Sequence, residues 1–588
     1  MTRATATHRI GQISRTGICA SVGSRHSHDL AVSPCCWPFR MAGNIGQLGV
    51  GAITVSDAAS TSRGRGGMAT MPVVASAPSD APGPGVARTP ASPDPIARWI
   101  GRSGIGRPVA ARWPLIAVLT VQAILSLRLT WSNTAFQDEG LYLRAGHLEW
   151  ARWLHQVPIP DLPSYFSGAP VIYPPLGAVA DSLGGLAAAR VLSLGFMLGV
   201  TSLLWATAGR LYGRRTALLA TGLFATLAGT QFLGAFATFD AMALFVLTLA
   251  AWLGVRAADF PIRIRTALLI TAGIILAAAN ATKYATALFT PVVLAVVSLA
   301  VWRRREGGAW LAALVTVLCP WIVAAGIAIR AGGRDYWRGI TASTLARPQA
   351  DTAVTTVLRS AYIWTSLILL LAVLGAVLAV RAGGRGKLLP AVLTVAAVLA
   401  PAGQARLHTT VGLQKHVVFG AWFAAIAAGY AMARLSRVDP GYGWAAVMAL
   451  PIAASTLFGS LGQATGLYGV WPNAADAVRV LSSAVRSHPG NYLAEDYDVE
   501  AYYLRAQVPW RRWSNTYYFS YHGLLPGALS YTAAIDRHYF ALVILNFGDT
   551  KSTDLQVTAD MRKAGGYYVL AHAGQFTIWA SGGDHGAH

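Results

Sequence analysis

The sequence predicts a mainly α-helical, polytopic membrane protein of about eleven transmembrane helices, followed by a small extracytoplasmic α/β domain. Three observations carry this. Of 588 residues, 54% are hydrophobic and only 12% charged, with a mean hydropathy of +0.45. An ordinary soluble chain of that size carries about twice that share of charge. Apolar runs recur from Pro114 to about Ser460, and most approach the roughly 20 residues that a helix needs to cross a bilayer. The second, fourth, sixth, eighth and tenth connections (GRLYGRR, RAADFPIRIRT, RRRE, RAGGRGK and ARLSR) are all short and basic. Cytoplasmic loops carry the excess of Lys and Arg. The N-terminus is therefore expected in the cytoplasm, with the odd-numbered connections and the C-terminal segment outside.

Residues 1–112 are rich in Ser, Ala, Gly, Pro, Thr and Arg and lack periodicity. A stretch such as ASAPSDAPGPGVARTPASPDP buries too little apolar surface to order itself, so a disordered cytoplasmic tail is expected. No continuous apolar region follows a basic start, so no signal peptide is assigned; Met41, Met68 and Met71 are alternative starts. The formal net charge of +22 would suggest nucleic acid in a soluble chain. Here the Arg residues fall mainly in the tail and the short connections, where they set topology instead. The four cysteines, Cys19, Cys35, Cys36 and Cys319, show neither metal spacing nor a disulfide framework.

The membrane domain is assigned to 113–460, with spans near 114–131, 187–209, 216–234, 239–256, 266–282, 284–302, 309–329, 358–380, 387–402, 416–433 and 443–460. The first outer connection, 132–186, is large. Its Trp150, Trp153, Tyr165, Phe166 and Tyr173 suit a membrane interface, and one or two short helices lying on the membrane are expected there. It opens with WSNTAFQDEGLYLRAGHLE, where Asp138 and Glu139 stand side by side near a membrane boundary. Two readings are open: Asp138 caps a helix over GLYLRAGH, or it is a general base facing a pocket at the membrane surface. In 461–588, amphipathic stretches such as AADAVRVLSSAVRSH alternate with short strand-like runs such as YFALVILNF. That pattern predicts the α/β domain, and without a Gly-rich phosphate loop no nucleotide site is assigned.

The stretch DEGLYLRAGH resembles the first extracytoplasmic loop of polytopic glycosyltransferases that use a polyprenyl-phosphate sugar donor. These are the protein O-mannosyltransferase and aminoarabinose lipid A transferase relatives, of the GT-C fold. The likeness continues through VPIPDLPSYFSGAPVIYPPLGAVAD, the run from Ala188 to Ala225, TFDAMALFVLTLAAW and ATKYATALFTP. It covers about Trp113–Pro291 and, more loosely, the rest of the membrane part. The resemblance implies transfer of a hexosyl or pentosyl group to a hydroxyl on the outer face of the plasma membrane, with an inverting outcome. The acceptor would be a glycan, lipid or protein. It implies that Asp138 is the base, with Glu139 orienting it, contacting substrate or raising its pKa by like-charge repulsion. It also implies an acid near the site at Asp240, which on position alone fits a helix cap equally well. One departure stands out: relatives commonly carry a charged residue, often Lys, before the Pro pair, where this chain has Tyr173-Pro174-Pro175. The relatives it most resembles work without a metal, so no cofactor is expected, although two carboxylates leave a divalent cation open at Asp138 and Glu139.

A lipid-phosphate donor needs cations at the outer surface. Lys283, Arg406 and Lys415 are the candidates for its phosphate, and Tyr173, Asp240, Tyr284, Arg338 and His408 for substrate contacts. Arg330, Arg334, Arg347 and His416 also fall in outer connections, against the positive-inside trend. Lys283 sits in an almost continuous apolar stretch, where it either snorkels to the headgroups or meets a phosphate. Two other functions stay open. A transporter or flippase of lipid-linked sugars keeps its ionisable groups near the midplane and shows inverted repeats. A non-catalytic scaffold would bind cell-wall polymer through its outer domain. The Arg-, Ala- and Gly-heavy composition hints, by association alone, at a GC-rich bacterial genome.

Overall fold

Among the described residues the membrane part of the chain is almost entirely helical, and the candidate site lies at one end of its helices. The computed structural model describes residues 113–304, 307–436 and 457–582. The N-terminal tail and most of the eleventh predicted span lie outside the described residues. The helices are α1 (Trp113–Leu127), α2 (Gln137–His155), α3 (Tyr173–Tyr212), α4 (Arg214–Thr226), α5 (Ala228–Leu233) and α6 (Phe239–Ala257). Then come α7 (Ile262–Thr282), α8 (Thr290–Arg304), α9 (Ala309–Ile340), α10 (Val354–Ala382), α11 (Leu388–Arg406) and α12 (Leu413–Leu435). Among the described residues, eight helical segments are long and apolar enough to cross a bilayer; α1 is apolar but shorter, at 15 residues.

Local chemistry explains where the boundaries moved. The second predicted span begins at 187, but helix α3 starts at Tyr173, with Pro174 and Pro175 in its first turn, where a missing N–H costs nothing. Its two parts join at a kink where Gly185 has φ 64°, next to the predicted boundary. The third predicted span is broken at Leu227, which has extended backbone (φ −61°, ψ 138°) between α4 and α5. The seventh, predicted to end near 329, continues as helix to Ile340 across a kink at Gly333 (φ 71°). Arg330, Arg334 and Arg338 are thus on a helix rather than in a loop.

Helix α12 lies at the centre, and its run from Ala424 to Ala428 is fully buried. With no hydrophobic drive between helices in lipid, close approach through small residues takes over. A Cβ at Gly420 would stand 2.4 Å from Ala396 O, and one at Gly375 2.2 Å from Ala427 O, so α10 and α11 touch α12 backbone to backbone. The buried Trp422 indole donates to Val200 O at 3.1 Å, so its one polar group is satisfied.

The C-terminal part carries α13 (Ala475–Ser487), β1 (Asn491–Ala494), α14 (Asp498–Tyr503), β2 (Trp513–Asn515), α15 (Ala528–Asp536), β3 (Phe540–Leu545), α16 (Lys551–Ala564), β4 (Tyr567–Ala573) and β5 (Phe576–Ser581). The sheet order is β2-β1-β3-β5-β4. Strand β1 runs parallel to β2 and β3, while β5 is antiparallel to β3 and β4. Strand β3, FALVIL, is buried at every position, as a central strand covered on both faces must be. Strand β2 and helix α15 were not legible in the sequence; three residues of strand carry no period.

This part docks on α2 and α3. Asp181 accepts hydrogen bonds from Tyr502 Oη at 2.5 Å and Arg505 Nη2 at 2.9 Å, and pairs with His147 Nε2 at 2.6 Å. Arg144 of α2 forms an ion pair with Asp498. Gly140 allows the approach, because a Cβ there would stand 2.6 Å from Asp498 O. Glu500, on α14 at the same junction, is 2% exposed. Burial, then the neighbouring Asp498 and Glu495, pushes its carboxyl up to about 8. A carboxyl raised in the folded state binds a proton there that the unfolded chain has lost, so stability falls as pH rises from about 4.5 through about 8. Glu500→Gln is expected to flatten that part of the slope. Thermal unfolding of both proteins across pH 5–8 checks it, and identical slopes would contradict it.

Candidate active site

The site begins at the start of α2. Phe136 occupies the N-cap with φ −76° and ψ 155°, and Glu139 reaches back to its N–H at 3.0 Å. Asp138 is therefore not the cap. It stands in the first turn, where a carboxylate meets the positive end of the helix dipole.

Glu139 is fully buried beside Arg190 of α3, which is also fully buried. Oε1 accepts from Arg190 Nε and from the Ala237 N–H, both at 2.8 Å. Oε2 accepts from Arg190 Nη2 at 2.7 Å and from Phe136 N–H. The guanidinium spends its other N–H groups on the carbonyls of Thr130 at 2.8 Å, Asn133 at 2.9 Å and Thr134 at 3.1 Å. All five donors of the fork are used, and each carboxylate oxygen holds two hydrogen bonds. The clamp ties 130–139 to α3 and to the start of α6, and it fixes the backbone from which Asp138 projects. A cation shared by Asp138 and Glu139 would have to break this pair.

Asp138 itself is a quarter exposed and faces a cavity of about 220 Å³. Its Oδ2 accepts from Lys415 Nζ at 2.6 Å, and Lys415 projects from the first turn of α12. Lys283 lines the same cavity from the extended residue that separates α7 from the 3₁₀ turn Tyr284–Phe289. Its Nζ donates to Asp240 Oδ1 at 2.6 Å and lies 4.8 Å from the centroid of the Phe239 ring. Asp240 also accepts from Thr238 Oγ1 at 2.9 Å. Arg347 and His416 complete the basic side of the lining.

The protonation of His416 follows from its partner. Gln404 Nε2 lies 3.0 Å from Val411 O and 2.7 Å from His416 Nδ1. A carbonyl only accepts, so the amide nitrogen, not its oxygen, must face Val411, and its second N–H points at His416. Nδ1 thus accepts, and the proton of the neutral ring sits on Nε2. His416 offers the cavity an uncharged donor.

The C-terminal part supplies the remaining wall through Asp496, Asp498, Asn515, Tyr517 and Tyr518. Asn515 ends β2 and the others follow the carboxyl ends of the parallel strands β1 and β2, the end where α/β sheets place ligands. Burial, then the charges of Asp498 and Glu500, pushes the Asp496 carboxyl well above the usual carboxylate range.

Of the candidate site residues drawn from the sequence, Asp138, Lys283 and Lys415 line this cavity, with Asp240 behind Lys283 and Glu139 beneath; Arg347 and His416, which the sequence placed only in outer connections, line it too. The others stand elsewhere, for reasons that connection order does not reveal. Tyr173 is fully buried in an aromatic cluster with Tyr142, Phe166 and Phe239. Tyr284 is buried where its backbone N–H bonds Ser167 O at 2.9 Å. Arg338 is held on α9 by Asp335 at 3.2 Å and Asp161 at 3.6 Å. Arg406 ends α11, where its carbonyl accepts from Gln349 Nε2 at 3.2 Å. His408 occupies the left-handed turn after it, with φ 50°. Arg190 was overlooked, although an Arg inside an apolar run demands a partner. The cavity residues of the C-terminal part gave no sequence signal at all. Among the described residues, no group of three or more His, Cys, Asp or Glu side chains is arranged to hold a metal ion.

No family model matches the sequence, and no curated protein matches it. Solved structures do match the fold. ArnT from Cupriavidus metallidurans bound to undecaprenyl phosphate superposes with a TM-score of 0.53 and 16% identity, over 80% of this chain and 98% of that one. The archaeal oligosaccharyltransferase AglB from Archaeoglobus fulgidus, in complex with an inhibitory peptide and a dolichol-phosphate, gives 0.51 and 13%, over 83% and 75%. At such identity the likeness is one of architecture, and with the apolar helices it makes this chain a multi-pass membrane protein of the GT-C fold.

Proposed function

We propose that this protein is an integral membrane glycosyltransferase that moves a sugar from a polyprenyl-phosphate carrier to a hydroxyl acceptor. The observation that carries the proposal is one cavity holding Asp138 together with Lys283, Lys415, Arg347 and the neutral donor His416, in a fold of which two solved examples are bound to undecaprenyl phosphate and to a dolichol-phosphate. Asp138 takes the proton from the acceptor hydroxyl as its oxygen forms a bond to the anomeric carbon. The bond from that carbon to the phosphate oxygen breaks on the opposite face, which inverts the centre. The electron pair leaves with the polyprenyl phosphate, and the cations with the His416 N–H stabilise its added charge. No general acid is needed, because phosphate is a competent leaving group.

Lys415 holds one oxygen of Asp138 and leaves Oδ1 for the acceptor. Tyr517, Tyr518, Asn515 and Asp496 present ring faces, an amide and a carboxyl, which suit a polyhydroxyl acceptor. The basic connections at the other ends of the helices support a cavity on the outer face, with the N-terminus cytoplasmic and the C-terminal part outside the plasma membrane.

Lys283→Met tests the donor end. A charge-assisted contact is worth roughly 1.5–3 kcal/mol, so donor KM is expected to rise about 10- to 150-fold while acceptor KM stays put. The single change also strands Asp240, so Lys283→Met with Asp240→Asn serves as the comparison. Unchanged donor KM and kcat in both proteins would remove Lys283 from the phosphate site.

A further inference from the structure

At the opposite end of the bundle lies a second basic constellation that the transfer reaction does not use. Helix α6, whose first residue Phe239 lines the candidate active site, brings its C-terminal end there beside those of α3 and α8, and together they carry Arg210, Arg256, Arg303 and Arg304. Among the described residues of the adjoining connections, Asp259 is the one carboxylate. Arg210 pairs with its Oδ1, Arg256 Nη1 lies 3.0 Å from Oδ2, and Arg304 Nη1 lies 3.5 Å from Oδ1. Three guanidinium groups share one negative charge. Arg303 has no part in that cluster: its Nη1 donates weakly to Leu211 O at 3.4 Å, and its guanidinium lies 5.1 Å from the Tyr212 ring centroid. Among the described residues, the buried Nε–H of Arg210 finds no hydrogen-bond partner.

These side chains do not merely decorate a helix end. Arg210, Arg303 and Arg304 line one open cavity of about 400 Å³. Arg303 also lines its neighbour, of about 440 Å³, with Tyr430 and Arg434. A topological signal needs only the charges, exposed and apart. Here like charges converge on a concave space and leave an excess of positive charge, an arrangement that costs energy until an anion enters.

We propose that this is a binding site for a phosphate ester, with Arg303 and Arg304 as its fork and Arg210 beneath. The head group of an anionic phospholipid in the facing leaflet reaches it directly, since the site opens at the membrane boundary. A soluble phosphate is the other source of the same chemistry.

Native mass spectrometry of the detergent-solubilised full-length chain tests the site with dioleoylphosphatidylglycerol, and with dioleoylphosphatidylcholine as the neutral control. One phosphatidylglycerol is expected to be retained in preference to phosphatidylcholine. Arg303→Gln is the informative variant because it leaves the cluster on Asp259 intact, and it should weaken retention about tenfold or more, with Arg303→Lys recovering part of it. Thermal unfolding with inorganic phosphate forms the second arm. Protection that Arg303→Gln removes would support the site and assign it to a soluble anion. Equal retention of the two lipids, or undiminished phosphatidylglycerol binding by folded Arg303→Gln, would overturn the proposal.

Discussion

Asp138→Asn is expected to lower kcat for sugar transfer by about 10²- to 10⁴-fold, the usual contribution of a general base, with donor KM little changed. The substitution keeps the shape of the side chain and removes the basic oxygen. The side chain is a quarter exposed and accepts a hydrogen bond from Lys415, so a neutral amide leaves that ammonium free to point into the cavity rather than stranded in a sealed core. Folding should therefore survive. Steady-state rates of the purified protein in nanodiscs, with donor and acceptor varied separately, check it. A kcat within tenfold of wild type would remove Asp138 as the base.

Arg190→Met is expected to produce the largest loss of stability. It leaves the fully buried Glu139 carboxylate without its cation and frees the carbonyls of Thr130, Asn133 and Thr134. Breaking a buried pair by removing one partner costs about 3–5 kcal/mol. Replacing both members, Arg190→Met with Glu139→Gln, should recover part of the loss, because no charge is left unpaired. Thermal unfolding in nanodiscs reads both. Protein that survives should also transfer poorly, since Asp138 is placed by the residue next to it. A single variant as stable as wild type would show that the pair does not hold the loop.

The helices of the membrane part were legible because a bilayer imposes length and composition on each of them. What that constraint does not fix was misread. The kinks at Gly185 and Gly333 depend on single glycines that leave the apolar pattern unbroken. Strand β3 was legible from FALVIL, whereas β2, at three residues, was not. At the site, adjacency of Asp138 and Glu139 in sequence suggested a shared task. The structure separates them, because successive residues of a helix point about 100° apart: one enters the cavity and the other enters the clamp. Connection order put Lys283, Lys415, Arg338, Arg406 and His408 on one side of the membrane. It carried no information about which of them meet across 277 residues, as Lys415 meets Asp138.

The proposed step is the departure of a sugar from its phosphate in this cavity. Purified wild-type protein in nanodiscs, given a panel of labelled polyprenyl-phosphate sugars and candidate hydroxyl acceptors, tests it most directly by release of polyprenyl phosphate and by the anomeric configuration of the product. Acceptor-dependent release is expected, one polyprenyl phosphate per sugar transferred, with the configuration inverted. Movement of intact sugar-lipid across a liposome bilayer without cleavage, or a product of retained configuration, would contradict it.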